Sequence, residues 1–598
     1  MGSLAASLAR RDAPGPQNVR RALEAAPHRG PVREVAVRGA CAIGISDTDA
    51  LPEAWLAEER DLIVGFTGVL DNAADLASEL KARGFPPAAS DPASVVAGLF
   101  RVDAERAFAS LRGAFALALT DGERLWCARD QVGYRPLSYR DDVRISMVAS
   151  EAKQVAAGAG LTPAPDLEVL QRIFYGNYDD DTPAALLGVS RVPKSTALRT
   201  DARGTARMRY WHPERLLETG RFTDTEVQER FDEIFGGAVA RMLVGTDAVA
   251  LSGGIDSPAI AAYAAPAFER RFGRPLPALT AVYPEHPSVD ESAWVQIVVD
   301  ALGMDLHTYR RDAPQLDRLQ EWAALFDGPV PVFPPADAER HFGVARDLGI
   351  TSVMNGAVAE LVFDMRSHLL AHLVRHGRLG AARDHASLQR AKGVPLGGIA
   401  KQFGSALLPA RAYAVYLRRR PPKRGARVPP WIDIAKVNER AVGAAAPAAE
   451  RWRRAQVGGL IGPGLSAEAN EVVQEVTGSR ARYPWADVDV WEFFMSLPAE
   501  VKFPDARTKG LVRRLLRGRV PDPILDRTEK TIFNEAAEAG IEYEHLRRWT
   551  GSGSFRMPGV DYALLHERID RGEMNVFEYI WAKDLAMVHA FIDLFEHP

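Results

Sequence analysis

Strand and helix patterns alternate through residues 247–356, and this alternation constrains the fold more than any other feature of the sequence. Four apolar runs have the length of buried strands, at 247–251, 278–283, 305–310 and 349–356. Helical periodicity at 257–270 and 290–303 separates them. Connections this short are typical of parallel strands joined by crossover helices. The sequence therefore predicts an α/β domain with a doubly wound parallel sheet.

The first of these strands runs directly into the hexapeptide Ser-Gly-Gly-Ile-Asp-Ser at 252–257. Ligands of open parallel sheets bind beyond the carboxyl ends of the strands. The glycines let backbone N–H groups approach an anion, and the following helix N-terminus adds about half a positive charge. Asp256 would repel phosphate unless a cation intervened, so we interpret it as a Mg²⁺ ligand. The alternative is a glycine-rich turn before a buried helix; a Walker A loop is excluded by the glycine spacing and the missing lysine.

The sequence before and after this domain has a different character. Residues 1 to about 210 carry short strand-like runs at 61–68, 114–121, 124–130 and 143–150, with helical patterns at 72–85 and 91–102. They predict a sandwich of sheets and helices. Residues 365–480 are Ala- and Arg-rich with helical periodicity, and they contain the basic run Arg418–Arg427. This run is a candidate for docking an acidic peptide or partner, and a solvated loop is the alternative.

Composition narrows the class of protein. The chain has 598 residues, enough for at least two domains, and a formal net charge of −4. This balance argues against a dedicated nucleic-acid binder, and no apolar run is long enough to span a membrane. The two cysteines, Cys41 and Cys127, lie in strand-like runs, which argues against a disulfide framework. We therefore expect a cytoplasmic protein with no nucleic-acid or membrane partner.

Several motifs resemble known enzymes. The hexapeptide resembles the pyrophosphate loop of N-type ATP pyrophosphatases, which cleave ATP between the α and β phosphates and adenylate a carboxylate. Residues 289–309 and 482–516 resemble segments of asparagine synthetase, and the motifs HRGP, LRGAFALALTD, ARDQVGYRPLSY and ASEAK resemble its glutaminase domain. The resemblance implies a glutaminase-like (Ntn-type) α+β sandwich at 1–215. It also implies an ATP- and Mg²⁺-dependent adenylating domain at 216–598, with a helical insertion at about 365–480.

The chain departs from asparagine synthetase where ammonia would be released from glutamine. The family has a cysteine nucleophile directly after Met1, and this chain has Gly2 there. The Asn-Gly pair of the family's oxyanion hole reads Thr67-Gly68. We therefore expect a glutaminase fold without glutaminase chemistry.

The resemblance also assigns roles in the adenylating domain. In the turn at 355–361, Glu360 aligns with a metal-binding aspartate, and Ala357 stands where relatives have a catalytic Glu or Tyr. Lys509 aligns with the lysine that stabilises charge around the adenylate. Catalytic candidates are Lys509, Glu360 and Asp364, and metal candidates are Asp256 and Glu360. The predicted ATP and pyrophosphate contacts are Leu251, Ser252, Gly253, Gly254, Ile255, Asp256, Ser257, Val282, Gly356, Lys509 and Lys530.

Some assignments stay open at this stage. The general base for an attacking amine is unassigned among Glu360, Asp364 and His368. Arg482 and Asp487 are expected to form a structural ion pair at the edge of the site. The insertion at 365–480 is expected to line or cover the cleft.

An adenylating domain, an inert glutaminase fold and a large insertion together resemble the lasso peptide cyclases, which are macrolactam synthetases. That resemblance implies a core peptide as substrate, with a leader-binding protein and a leader peptidase acting upstream. A β-lactam synthetase-like enzyme acting on a small amino-acid-derived diacid is one alternative. A catalytically silent peptide-binding scaffold is the other.

Overall fold

Three sheets organise the computed structural model of the chain. Two sheets of six strands form the N-terminal region, and a sheet of five strands lies in the remainder. The described residues are 2–10, 14–49, 51–177, 183–311, 314–419, 428–437, 446–461, 464–505, 507–528, 531 and 533–596.

The N-terminal region is a sandwich of two antiparallel sheets between helices. In spatial order, the first sheet consists of Ser190–Arg191, Ser138–Asp141, Ile145–Ala149, Ser3–Ala9, Cys41–Ser46 and Val32–Arg38. The second sheet consists of Gly204–Arg209, Thr196–Asp201, Leu125–Arg129, Gly113–Thr120, Leu62–Leu70 and Ala54–Glu59. Helices Gly15–Glu24 and Ala152–Ala159 pack on the first sheet, and helices Ala73–Ala82 and Pro92–Asp103 lie at the second.

Alternating side chains of the two sheets fill the space between them with an apolar layer that includes Leu4, Ile43 and Ile63. Cys41 and Cys127 lie in this layer, buried and free. Two central sheets covered by helices confirm the α+β sandwich that the strand-like runs predicted.

The second region contains the predicted parallel sheet. Its strands, in spatial order, are Asp305–Arg310, Pro277–Val282, Asp247–Ala250, Ser352–Met354 and Arg480–Arg482. All neighbouring pairs are parallel. Because the chain proceeds from Asp247–Ala250 first towards one edge and then towards the other, the sheet is doubly wound, as predicted. Apolar clusters cover both of its faces.

The edge strand Arg480–Arg482 has no counterpart in the sequence prediction. It is three residues long and reads Arg-Ala-Arg, so neither its length nor its hydrophobicity marks it as a strand. Its arginines are neutralised by acids of the N-terminal region: Arg480 contacts Glu53 at 2.6 Å, and Arg482 pairs with Asp71. The strand forms because a second domain supplies its partners.

Helices account for most of the remaining chain. Those flanking the sheet are Asp224–Met242, Asp256–Phe272, Ser292–Leu302, Leu319–Leu325 and Pro335–Asp347. The C-terminal stretch contains Val488–Ser496, Ala499–Lys502, Gly510–Leu515, Asp522–Asp526, Asn534–Ala539, Tyr543–Gly551, Tyr562–Arg571 and Val576–Glu596. In the described part of the chain, no helix has the length and apolar character needed to cross a bilayer.

The region 365–480 is helical, as predicted, but it divides into two parts. Helices Leu369–Arg375, Leu379–Ala391, Leu396–Leu407, Ala410–Arg419 and Arg451–Ile461 form the first part. Leu369, Leu373 and Trp452 pack there with Phe503 in a small core of their own. Helix Leu465–Thr477 instead lies between the N-terminal sandwich and helix Pro335–Asp347. The predicted docking run Arg418–Arg427 falls almost entirely outside the described residues.

A buried ionic network joins the two regions. Glu471, on helix Leu465–Thr477, accepts from Arg29 at 2.6 Å and also pairs with Arg135. Arg135 contacts Glu53 at 2.6 Å. The predicted Arg482–Asp487 pair is wrong: Arg482 pairs with Asp71, and Asp487 accepts from Arg241 at 2.8 Å.

Candidate active site

A cleft of about 720 Å³ opens at the carboxyl ends of the parallel strands. Strand ends, loops and helix starts that are far apart in sequence line it. Most of the predicted site residues lie along its wall: Leu251, Ser252, Gly253, Gly254, Ile255, Asp256, Ser257, Gly356, Glu360, Asp364 and Lys509. The fold therefore brings together the phosphate loop at 252–257, the acidic turn at 355–361 and Lys509.

The loop at 252–257 is closed by its own hydroxyl groups. The Ser252 N–H donates to Ser257 Oγ at 3.0 Å, and the two hydroxyl oxygens lie 3.1 Å apart. A Cβ atom at Gly253 would lie 2.5 Å from Arg527 Nη1 and 2.9 Å from Trp294 Cβ, so this position needs glycine. The helix then begins at Asp256, which orients its N-terminal dipole towards the cleft.

An acid already accepts a hydrogen bond from this loop. The Gly253 N–H donates to Glu291 Oε2 at 3.0 Å, and Glu291 is held by Arg527 at 3.0 Å. Arg527 also donates to the Gly253 carbonyl at 2.6 Å and lies over the Trp294 ring. Neither charged residue was predicted from the sequence, although Glu291 lies within the motif at 289–309 that resembles asparagine synthetase. Their contacts show that the loop presents a backbone donor to an oxyanion.

Two carboxylates converge on the ammonium of Lys509. Its Nζ lies 2.5 Å from Asp256 Oδ2 and 3.6 Å from Glu360 Oε1. Because both carboxylates reach one cationic centre, the predicted pair Asp256 and Glu360 fits a Mg²⁺ ion beside phosphate. Lys509 has φ 61° and ψ 28°, a left-handed conformation that costs a non-glycine residue free energy and is common at functional sites.

The acidic turn approaches the phosphate loop through Gly356. A Cβ atom there would lie 3.0 Å from both Asp256 Cβ and the Ser257 nitrogen, so only glycine allows this spacing without displacement. Asn355 Oδ1 accepts from the Ala357 N–H at 2.8 Å. The turn then reaches Glu360 through Val358, which is left-handed at φ 63°. Ala357 supplies no ionisable group, so the acids of this part of the wall are Glu360 and Asp364.

The wall beyond the ends of the second and third strands carries polar groups that the sequence did not reveal. Tyr309 Oη lies 2.9 Å from His341 Nδ1, and Arg311 donates to Asp337 at 2.6 Å. Burial and the nearby Arg311 lower the pKa of His341 to about 4, so its imidazole is neutral at neutral pH. Nothing in their spacing marks these residues, because they come from a strand end and a helix.

Other predicted positions lie elsewhere. Val282 does not line the cleft, whereas its neighbours Ala281 and Tyr283 do. Strand alternation explains this difference, because successive side chains point to opposite faces. His368 is not among the lining residues, which leaves Glu360 and Asp364 as the candidate bases. Lys530 lies outside the described residues.

The insertion contributes little to the cleft wall. Of its described residues, Asn470 alone lines the cleft. The first group of helices lies behind the turn that carries Asp364, and helix Leu465–Thr477 is engaged with the N-terminal sandwich. The expectation that the insertion lines the cleft is therefore met only at this one residue in the described part of the chain.

The N-terminal sandwich has no room for a nucleophile at position 2. A Cβ atom on Gly2 would overlap the Ser46 carbonyl oxygen and lie 2.7 Å from Ala54 Cβ. The Gly2 carbonyl accepts from Arg29, whose guanidinium also binds Glu471 of the second region. An interdomain ion network thus reaches the position where the family's cysteine would stand.

Two family models match this chain. A model described as asparagine synthase matches residues 230–581, and one described as a glutamine amidotransferase domain matches residues 1–211. Asparagine synthetase [glutamine-hydrolyzing] 3 of Bacillus subtilis (strain 168) is 30% identical over 280 residues, 44% of this chain and 45% of the relative. A putative asparagine synthetase [glutamine-hydrolyzing] of Mycobacterium tuberculosis (strain ATCC 25618 / H37Rv) is 31% identical over 222 residues, 35% of this chain and 33% of the relative. The matches thus span less than half the length of these relatives.

Solved structures add little. The glutamine phosphoribosylpyrophosphate amidotransferase of B. subtilis, complexed with ADP and GMP, aligns with a TM-score of 0.27 at 14% identity, covering 59% of this chain and 81% of that one. A score this low carries no argument about fold or function. The asparagine synthase model, in contrast, covers more than half of the chain, including the loop at 252–257, the turn at 355–361 and Lys509. The chain therefore belongs to the asparagine synthase family.

Proposed function

We propose that this protein is an ATP-dependent, AMP-forming amide ligase that closes a macrolactam in a peptide, as lasso peptide cyclases do. The observation that carries the proposal is the cleft in which the loop at 252–257, Asp256, Glu360 and Lys509 meet. The crowded Gly2 supports it from the other domain, because ammonia released from glutamine is then not the nucleophile. The amine must come from the substrate itself or from solution.

In the first step, a side-chain carboxylate of the peptide attacks the α-phosphorus of ATP. The bond between the α-phosphorus and the bridging oxygen breaks, giving an acyl-adenylate and pyrophosphate. Backbone N–H groups of the loop, the hydroxyls of Ser252 and Ser257 and the helix N-terminus bind the leaving phosphates. Asp256 and Glu360 would hold Mg²⁺, which neutralises phosphate charge when bound. The Lys509 ammonium stabilises the charge that develops on the oxygens.

In the second step, the peptide's N-terminal amine attacks the acyl carbon and AMP leaves. Lys509 is placed to stabilise the tetrahedral oxyanion. The attacking amine must lose a proton, and Asp364 and Glu360, two of the carboxylates on the cleft wall, are the candidate acceptors. Asp364 is held at 2.9 Å by Arg366, which fixes its position.

The size of the cleft favours a substrate larger than an amino acid. Its volume of about 720 Å³ lies in the upper part of the usual range for ligand sites, so it can hold a nucleotide together with a second substrate. Binding a folded peptide with both reacting ends in the cleft would hold the acyl carbon and the amine in reacting geometry and so lower the entropic cost of closing the ring. A leader-binding protein and a leader peptidase would act before this enzyme.

Product analysis with purified protein and Mg-ATP tests the proposal. Candidate substrates are the short peptides encoded beside its gene, synthesised without their leaders, a set of amino-acid-derived diacids, and aspartate with ammonia or glutamine. We expect AMP and pyrophosphate only with a peptide, and a product one water lighter than that peptide. Turnover with a diacid or aspartate would instead indicate a β-lactam synthetase-like or asparagine synthetase activity. No turnover with any substrate would contradict the ligase proposal.

A further inference from the structure

We infer that Arg366 is a positioning residue that fixes the segment before Lys509 against the part of the cleft wall that carries Glu360 and Asp364. Its kinetic consequence rests on the proposed function, whereas its structural consequence can be tested without it. Arg366 lies two residues after Asp364 and does not itself line the cleft. Its positioning role requires no contact with the loop at 252–257 or with the substrate.

The Arg366 guanidinium bridges Asp364 and the segment that leads into Lys509. Arg366 Nε donates to Asp364 Oδ1 at 2.9 Å, on its own side of the cleft. On the other side, Nη1 donates to the Asp505 carbonyl at 2.7 Å and Nη2 donates to the Arg507 carbonyl. The guanidinium also lies 5.1 Å from the centre of the Phe503 ring. Three acceptors in different directions match the planar fork of arginine and cannot be spanned by a lysine ammonium.

These carbonyls belong to the segment that leads into Lys509. Arg507 is two residues before Lys509, whose left-handed backbone aims its side chain at Asp256 and Glu360. A strained conformation persists only where neighbouring contacts fix it. Arg366 supplies two such contacts immediately upstream.

A second set of hydrogen bonds, which involves the insertion, supports the segment that carries Asp364 and Arg366. Lys502 Nζ donates to Gln456 Oε1 at 3.0 Å, and the Gln456 amide donates to the Met365 carbonyl at 2.5 Å. Met365 lies between Asp364 and Arg366, and Gln456 lies on helix Arg451–Ile461 of the insertion. The helices of the insertion thereby brace the turn on which Arg366 depends.

Arg366→Met should therefore lower kcat without weakening ATP binding. A displacement of about 1 Å at a reacting group can cost on the order of 100-fold in rate, so we expect kcat to fall 10- to 100-fold. The KM for ATP should change less than about threefold, because Arg366 donates to Asp364, Asp505 and Arg507 rather than to the loop at 252–257. Arg366→Lys should recover only part of the rate, since one ammonium cannot serve all three acceptors. Arg375→Met, at an exposed arginine of the insertion, is the matched control.

A double-mutant cycle shows whether Arg366 acts through Lys509. Arg366→Met and Lys509→Met would be combined, and single-turnover rates would be measured with enzyme in excess. If Arg366 acts by placing Lys509, its substitution costs far less when Lys509 is already absent. Equal losses in both backgrounds, or a higher KM for ATP with kcat unchanged, would overturn the inference.

Amide hydrogen exchange tests the same contacts without a substrate. Exchange at residues 507–511 should become faster in Arg366→Met than in the wild type and in Arg375→Met, with the loop at 252–257 unchanged. Unchanged exchange at 507–511 would refute the inference even if the enzyme proves active. If the wild type releases no AMP with any substrate, the proposed function fails, and this exchange experiment still decides the role of Arg366.

Discussion

At the scale of single residues, the chemistry depends on charges that meet from distant parts of the chain. Lys509 and Asp256 are separated by 253 positions and lie 2.5 Å apart through Nζ and Oδ2. Glu360 completes the group from a third segment. Each of the two carboxylates therefore faces the same opposite charge.

Substitution of the lysine should remove most of the proposed activity. Lys509→Met keeps the length of the side chain but removes the cation that stabilises transition-state charge, a loss of about 10²- to 10³-fold in kcat for one such group. Asp256→Ala should abolish AMP formation. AMP release is measured by chromatography, with Lys401→Met on the exposed insertion surface as the control. Wild-type rates in either site variant would refute the site assignment.

The neutral His341 should make stability depend on pH. Its pKa of about 4 lies below the ordinary value of 6.5, so between these values the unfolded chain binds more protons than the folded one. Stability is therefore retained above pH 6.5 and lost as the pH falls towards 4, by at most about 3 kcal/mol. His341→Gln, which can still hydrogen-bond Tyr309, should show a smaller loss of melting temperature over this window. Parallel curves for both proteins would contradict the assignment.

At the scale of elements, helix Leu465–Thr477 connects the two halves of the molecule. Its acid Glu471 is buried against Arg29 and Arg135, both from the N-terminal sandwich. Removing one partner of a buried ion pair leaves uncompensated charge, which costs more than the pair contributes. How strongly this helix holds the two regions together therefore depends on Glu471 pairing with both arginines.

Glu471→Gln should destabilise the protein by about 3–5 kcal/mol, because two buried arginines lose their shared carboxylate. Glu450→Gln is the matched control: Glu450 pairs with Arg454 at 3.2 Å on an exposed helix surface, where such pairs contribute at most about 0.5 kcal/mol. Urea unfolding followed by circular dichroism gives both values. Similar losses in the two variants would show that the interdomain network is not stabilising.

Gly356 allows the turn at 355–361 to lie close to the start of helix Asp256–Phe272. Gly356→Ala places a methyl group 3.0 Å from the start of helix Asp256–Phe272, which must move or force the acidic turn away. We expect AMP formation to fall at least 10-fold while the melting temperature changes little, because the strain falls on loops at the cleft rather than on the core. Gly343→Ala, with open space around its Cβ position, is the control. Full activity of Gly356→Ala would contradict this close approach.

At the scale of the whole molecule, the N-terminal sandwich is a structural partner of the cleft-bearing domain. Its acids Glu53 and Asp71 neutralise the edge strand Arg480–Arg482. Gly2→Cys should therefore not create glutaminase activity. The added Cβ would overlap the Ser46 carbonyl oxygen and should lower the melting temperature instead. Release of glutamate from glutamine by this variant would refute that view of the sandwich.

The sequence predicted the parallel sheet well and its edge poorly. Strands such as Asp247–Ala250 and Pro277–Val282 are buried on both faces, so hydrophobicity alone marks them. The strand predicted at 349–356 shortens to Ser352–Met354, and Arg480–Arg482 was missed because its partners come from the other domain. In the site, Lys509 and Glu360 were found through motifs, and Glu291 was missed although it lies within the motif at 289–309. Arg527 and His341 carry no local signature of their roles.

What the sequence determined by itself is local: a buried strand, two glycines and a helix start at 250–257, whose periodicity and backbone freedom specify an anion-binding loop. Only the tertiary structure decided which charges meet at that loop. Lys509 contacts Asp256, and Arg366 donates to the Asp505 carbonyl. The Ser46 carbonyl oxygen occupies the space that a side chain at position 2 would need. Each of these contacts joins segments that are remote in sequence. Packing fixes such contacts, and no short stretch of sequence encodes packing.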